Sequence, residues 1–295
     1  MPQAPDRAPH HLIDAVYRYA IPLLALLAAG PLCYRFTHAL ISASGTHDKS
    51  LFLAASKPSA LIALLVCLAL ATLVATGATR LIGLKSGLIS AGYVLGWAAW
   101  GLGDLNRTLR DLESASAGTF ILLAIEAAAL VTACLGVLWL AARADPHPPH
   151  KDLFRPGLSP KRLISIGAAT LAALAACWIV VHTGTKGQTL FGALVAGLLA
   201  GVAAHMAGDE EHPDPLAPFL GVALAALLSP LITIAFPGLG AVEKAVVADA
   251  LPGFARLQPL DWSVALLIGV PIGLSWMGIA LGRDHASGAA ATAKA

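Results

Sequence analysis

Long apolar stretches alternate with short polar segments along most of the chain. A membrane-spanning helix needs about 20 mostly apolar residues, because the hydrocarbon core of a bilayer is roughly 30 Å thick. Eight stretches meet this requirement, near residues 20–41, 60–78, 87–103, 118–141, 163–182, 189–207, 216–236 and 262–281. The first is the weakest, since Pro22 and Pro31 interrupt it. The pattern predicts an all-α polytopic transmembrane helix bundle of about eight spans.

Composition points the same way. Of the 295 residues, 57% are apolar and only 12% are charged, whereas soluble domains carry about 25% charged residues. The net charge of +2 is too small to indicate a nucleic-acid partner. The lipid bilayer is therefore the expected surrounding, and other membrane proteins or further copies of the chain are the expected partners.

The distribution of basic residues predicts the orientation. The segment 143–162 holds five lysines and arginines, and basic loops stay in the cytoplasm. With eight spans, the tails at 1–19 and 283–295 then lie on the same side as this segment. High alanine content is typical of GC-rich bacteria, so we expect the bacterial inner membrane with both termini cytoplasmic. The domain hypothesis is two four-helix halves, 20–142 and 163–282, joined by the linker at 143–162.

Aromatic and small residues refine the spans. Tryptophans favour the headgroup level of a bilayer, and three lie at predicted outer ends of spans, namely Trp100, Trp178 and Trp262. Glycines four residues apart let helices approach closely. Such pairs occur at Gly92 and Gly96, at Gly197 and Gly201, and at Gly269 and Gly273. We expect these pairs at helix contacts, although glycine-rich spans also produce them by chance.

A short internal similarity suggests a duplication. SGTHDKSLF at 44–52 and TGTKGQTLF at 183–191 are identical at four of nine positions, and each follows the first span of its half. Two similar halves in parallel repeat would explain this. The alternative is convergent loop chemistry, since Gly, Ser and Thr are common in short connections.

Glu126 is the one acid well inside a predicted span. A carboxylate at that depth costs several kcal/mol unless it is protonated, hydrated or paired, so it should not face lipid. One interpretation is a proton-coupled or ion-binding carboxyl in the bundle interior, within reach of Arg107 or Lys49 from the outer loops. The other is a structural side chain that hydrogen-bonds a neighbouring element.

The predicted outer loops hold the densest polar groups. Lys49 in the first loop, and Asp104 and Arg107 in the third, are candidate functional residues together with Glu126. Either these loops are simply solvated, or they form a lip that collects a polar solute above the bundle. In the last outer loop, apolar residues recur every three to four positions at Leu239, Val242 and Val246. That pattern is typical of a short amphipathic helix, which could lie on the membrane, dock a partner or cover the bundle.

Two classes of function remain open. No catalytic, nucleotide-binding or metal-binding signature occurs in the sequence, and no cofactor is expected. The first hypothesis is a non-enzymatic structural subunit or scaffold of an inner-membrane assembly. The second is a transporter or channel for a small solute or proton that uses Glu126.

Overall fold

The computed structural model describes residues 16–17, 19–111, 116–146, 157, 159–208, 214–235, 242–279 and 281. Nearly all of the two predicted tails and most of the linker lie outside these residues. Within the described part, the regular secondary structure is helical, apart from one isolated bridge between Ser42 and Ala54. The predicted all-α bundle is confirmed.

The described residues form ten principal helices. In chain order they are α1 Tyr19–His38, α2 Lys57–Ile82, α3 Leu84–Trp100, α4 Leu105–Asp111, α5 Ala117–Ala144, α6 Pro160–Val180, α7 Lys186–Ala207, α8 Ala217–Ala235, α9 Val242–Val247 and α10 Pro259–Trp276. Seven of these, all except α3, α4 and α9, are long and apolar enough to cross a membrane. The protein is therefore an integral, multi-pass membrane protein.

Helix α3 crosses the bundle as an eighth element. Its 17 residues span about 25 Å, at the lower end of transmembrane lengths. It runs antiparallel to α10 along its length: the Lys85 ammonium donates to the Ser275 hydroxyl (2.7 Å), and Gly92 packs on Ile268. At the other end, the Ala98 carbonyl accepts a hydrogen bond from Thr37 at the end of α1 (2.9 Å). The described residues therefore contain seven helices with the length and hydropathy of a span, and α3 packs beside them as a shorter eighth helix.

Glycines form the closest helix contacts. A Cβ atom on Gly197 of α7 would overlap the Ala265 carbonyl of α10, and one on Gly273 would overlap the Leu198 carbonyl. Because lipid supplies no hydrophobic drive between helices, close backbone approach replaces it. All three predicted glycine pairs lie at helix contacts; the other members are Gly92, Gly96, Gly201 and Gly269.

The connections between spans sort onto two opposite faces. At one face, Gly83 joins α2 to α3 with a φ of 99°, and the neighbouring Lys85 backbone N–H donates to the Leu281 carbonyl (3.4 Å). An ion pair at the same face joins Arg162 to Asp214 (2.8 Å), which links the start of α6 to the segment before α8. Several other connections meet at the opposite face.

Only two of the three tryptophans predicted at outer span ends are exposed. Trp100 and Trp178 are exposed on the outside of the bundle. Trp262 is 1% exposed and is among the largest fully buried side chains, so its assignment to the interfacial belt was wrong. The segment before it folds over the end of the bundle, which encloses the ring.

Candidate functional site

Four connections between spans converge at one end of the bundle. We call their described residues within 39–56, 101–111, 181–185 and 242–258 the loop cap. The Lys49 backbone N–H donates to the Leu102 carbonyl (2.7 Å), which joins the first two segments. The Gln258 side-chain amide donates to the Gly103 carbonyl (3.0 Å), and Gly184 packs against the Asp104 carboxylate. Each segment is thus tied to at least one other.

A second apolar core lies under the cap. Leu105 and Leu109 of α4 and Val242 and Val246 of α9 pack against Phe120 in the first turns of α5. This core is separate from the main core of the bundle. The predicted amphipathic helix is present, beginning at Val242, while Leu239 lies outside the described residues. The apolar face of this helix, α9, packs on the bundle and does not face lipid.

A buried arginine closes the α9 end of the cap. Arg256, 4% exposed, donates from its guanidinium to the Asp249 carboxylate (2.6 Å) and to the Asp249 carbonyl (2.6 Å). The same carboxylate accepts from the Asn106 amide (2.6 Å), which links α9 to α4. Asp249 has a φ of 55°, a left-handed conformation that Asp tolerates better than most residues. These bonds hold the turn after α9 in that conformation.

Glu126 lies inside the protein and binds the first loop. Its side chain is 1% exposed, and its carboxylate accepts the backbone N–H groups of Leu51 (3.3 Å) and Phe52 (3.0 Å). The prediction that Glu126 does not face lipid is confirmed. Both of these hydrogen bonds come from backbone N–H groups and not from Lys49 or Arg107, the two cations considered from the sequence.

The position of Glu126 explains why an acid occurs in this span. The carboxyl sits about 13 Å along α5, and the non-helical chain around Ser50 and Leu51 comes down beside it. Non-helical backbone at membrane depth persists only where protein surrounds it and satisfies its polar groups. Leu51 is 2% exposed, so water is not available to its N–H group. The Glu126 carboxylate oxygens accept the N–H groups of Leu51 and Phe52. In a regular helix, backbone carbonyls would accept them.

The other three candidate residues are brought together in the cap. The Asp48 carboxylate accepts the Asp104 backbone N–H (3.0 Å) and pairs with Arg107 (3.3 Å). Asp104 in turn accepts the backbone N–H groups of Asn106 (2.8 Å) and Arg107 (3.4 Å), so its carboxylate caps the start of α4. Lys49 follows Asp48 directly. Asp104 and Arg107 thus meet at Asp48, whereas the Lys49 ammonium binds the His47 carbonyl and Glu126 binds the following residues of the first loop.

Lys49 is fully buried, with the Nζ atom donating to the His47 carbonyl (2.6 Å). Burial lowers the pKa of Lys49 to about 8, since the charged form is poorly solvated there. The negative charge of Asp48 opposes this shift, and the positive charge of Lys186 adds to it. The charge of a second buried lysine therefore acts on Lys49 beneath the cap.

A buried ion pair escaped the sequence analysis. The Lys186 ammonium lies 2.8 Å and 3.1 Å from the two carboxylate oxygens of Asp261, and the Asp261 side chain is 0% exposed. The second oxygen also accepts the Gln258 backbone N–H (2.9 Å). The pair joins the start of α7 to the start of α10. Each residue lies at the end of an apolar run, where charged residues are common. The sequence pattern therefore gives no indication that these two residues form a pair.

The two similar nine-residue segments lie at the same end of the bundle but differ in local structure. Residues 44–52 form an irregular loop, and α2 begins only at Lys57. In the second segment α7 already begins at Lys186, so Thr189 and Phe191 are helical. The two similar segments do not share a backbone conformation. The duplication of the two halves therefore stays a prediction.

Two apolar grooves open on the sides of the bundle. One, of about 580 Å³, lies between α1, α3, α7 and α10 and is lined by side chains such as Trp97, Phe191 and Ile268. The other, of about 390 Å³, lies between α2 and α5 beside the first loop. Exposed Phe191 and Leu61 mark the lipid-facing edges of the two grooves. Both are lateral openings toward lipid rather than a passage along the bundle.

Comparisons of the chain with protein-family models, with curated proteins and with solved structures find no match. The fold and the cap alone therefore define its class, a polytopic helical membrane protein whose loops are tied together at one face.

Proposed function

We propose that this protein is a non-enzymatic structural subunit or scaffold of a bacterial inner-membrane assembly. The observation that carries the proposal is the role of Glu126, whose carboxylate holds the backbone of the first loop. A carboxyl that carries protons through a membrane needs an exchange path to water. Here two N–H donors occupy it inside protein.

The remaining buried charges support the same proposal. Lys186 and Asp261 bind each other, and Arg256 binds the turn at Asp249. The first pair joins the starts of α7 and α10 beneath the cap, and the second holds the turn after α9. Such fixed contacts favour a rigid surface over a mobile gate. We further propose that the partners are membrane proteins or further copies of this chain, and that the cap lies on the side opposite the cytoplasm.

Reconstitution in liposomes separates this proposal from the alternative of a proton-coupled transporter or channel. We expect proteoliposomes loaded with a pH-sensitive dye to leak protons no faster than protein-free liposomes under an imposed pH gradient. Glu126→Gln should change nothing in this assay. A proton flux in the native protein that Glu126→Gln abolishes would overturn the proposal and establish the transporter.

Crosslinking in native membranes tests the scaffold role directly. Val247 lies on the cap and is 69% exposed. A photoreactive residue there therefore reacts with any molecule that is bound to the cap. We expect one discrete adduct, either a membrane protein or a second copy of the chain. The matched control is Leu171, 70% exposed on the side of α6. Equal and diffuse labelling at both positions would contradict a docked partner at the cap.

A further inference from the structure

The groove between α2 and α5 lies beside the first loop. Leu51 and Phe52 of this loop form one wall of the groove, whose volume is about 390 Å³. Ala60 and Leu64 of α2 and Leu122 of α5 form the others. With this apolar lining, water is disfavoured and hydrocarbon is favoured.

One cation stands at the rim of this groove. Lys57, the first residue of α2, lines the groove and is exposed. Its flexible stem can lie along the apolar wall while its ammonium stays at the polar surface. Seven residues further along α2, about 10 Å deeper, Leu64 lines the inner part of the groove. A cationic rim over an apolar slot matches a phosphate group above an acyl chain.

The dimensions favour a lipid chain over a protein helix. Each leaflet of a bilayer contributes about 15 Å of hydrocarbon, which is comparable to the depth from Lys57 to Leu64. A transmembrane helix about 10 Å wide and 30 Å long fills several times the volume of this groove. The groove is therefore too short and too small to seat a spanning helix.

We propose that this groove is a binding site for one anionic phospholipid, with an acyl chain between α2 and α5 and the phosphate beside Lys57. The bound chain would pack on Leu51 and Phe52, the residues whose N–H groups Glu126 holds. The lipid would thus cover the outside of a loop that Glu126 fixes from the inside. This site does not depend on the proposed scaffold role.

Native mass spectrometry of the delipidated full-length protein tests the site. Phosphatidylglycerol and phosphatidylcholine with identical chains are titrated separately, and the first bound lipid is quantified. We expect phosphatidylglycerol to bind about fivefold more tightly, which is the value of one lysine near an anionic headgroup. Lys57→Gln should reduce this preference to near unity. Leu64→Trp should fill the groove and weaken the binding of both lipids.

Matched variants on the same helix act as controls. Arg80→Gln removes an exposed cation at the far end of α2, and Leu73→Trp adds the same ring at a lipid-facing position, 69% exposed. Both should bind lipid as the native protein does, with unchanged melting temperatures. Equal affinity for the two lipids, or a preference that survives Lys57→Gln, would overturn the proposal. So would a groove occupied by a second copy, seen as a dimer whose mass carries no lipid.

Discussion

Different kinds of interaction hold the helix bundle and the loop cap together. In the bundle, α7 and α10 meet through Gly197 and Gly273, where missing side chains let backbones touch. In the cap, buried charges and backbone N–H groups bind one another, as at Glu126 and at the pair of Lys186 with Asp261. Regular helices satisfy their own backbone polar groups, so they need only complementary surfaces to pack together. Irregular loops need a separate hydrogen-bond partner for each buried polar group.

The largest effect should come from filling a helix contact in the bundle. In Gly197→Leu, the new side chain would overlap the backbone carbonyl of Ala265, which has no means of moving aside. Overpacking of a core costs about 1–3 kcal/mol even where side chains can adjust, so we expect little folded protein. The yield of monodisperse protein after detergent extraction measures this.

Gly136→Leu is the matched control for that variant. A Cβ atom at Gly136 meets nothing within 4 Å, although the residue also lies in a transmembrane helix. Normal yield is expected there. Equal yields for the two variants would show that glycine contacts do not limit the stability of the bundle.

The next largest effect should come from breaking the buried ion pair of the cap. Asp261→Asn leaves the Lys186 ammonium buried without a counter-charge, and loss of one partner costs about 3–5 kcal/mol. Unfolding in detergent can be followed with a thiol-reactive dye, since all four cysteines are free and buried. We expect a large fall in melting temperature.

Adding Lys186→Met to Asp261→Asn should recover much of that loss. The double variant has no unpaired charge, and the amide oxygen of the introduced asparagine can still accept the Gln258 backbone N–H. A double variant no more stable than Asp261→Asn alone would mean that the charge is not the cause.

A smaller effect is expected from pH acting on Lys49. Its pKa is lowered to about 8 in the folded protein, whereas an unfolded lysine titrates near 10.4. Between these values the unfolded chain binds more protons at this residue, so stability contributed by Lys49 rises with pH over that window. Below about pH 8 its contribution is constant. Lys49→Met should remove this rise.

The measurement for Lys49 is the melting temperature of native protein and Lys49→Met from pH 7 to pH 10.5. The difference between them should shift in favour of the native protein as pH increases. Parallel profiles across the window would contradict a charged, buried Lys49.

The smallest effect is expected at the surface of the cap. Arg107 pairs with Asp48 at 3.3 Å, but its side chain is 65% exposed. Exposed ion pairs contribute about 0–1 kcal/mol, so Arg107→Ala should shift the melting temperature only slightly. A loss comparable to that of Asp261→Asn would mean that the exposed pair, not the buried pair, holds the cap.

The sequence predicted the bundle well because its signals are local. Span positions follow from runs of apolar residues, and the contacts of Gly92, Gly197 and Gly269 follow from spacing within one helix. The cap was less accessible. Glu126 could be identified because it is an acid within an apolar run. Its partners are backbone N–H groups of a loop some 75 residues away. Almost every residue has such a group, so residue type does not reveal which ones bind Glu126.

Two other features depended on the three-dimensional path of the loops. Lys186 and Asp261 sit at span ends, where sequence alone favours solvation, and only the folding of the cap over them makes the pair buried. Trp262 was expected at the bilayer surface for the same reason and is enclosed by the same cap. Hydrophobic periodicity reports which segments cross the membrane but not which loops cover their ends.

The central claim is that the Glu126 carboxylate holds the first loop in place, and amide hydrogen exchange at Leu51 and Phe52 tests it most directly. We predict slow exchange at both amides in the native protein and exchange at least about tenfold faster in Glu126→Ala, because loss of a buried acceptor costs about 1–3 kcal/mol per donor. The amides of α7 should exchange as before. Equal protection of Leu51 and Phe52 in the two proteins would contradict the account.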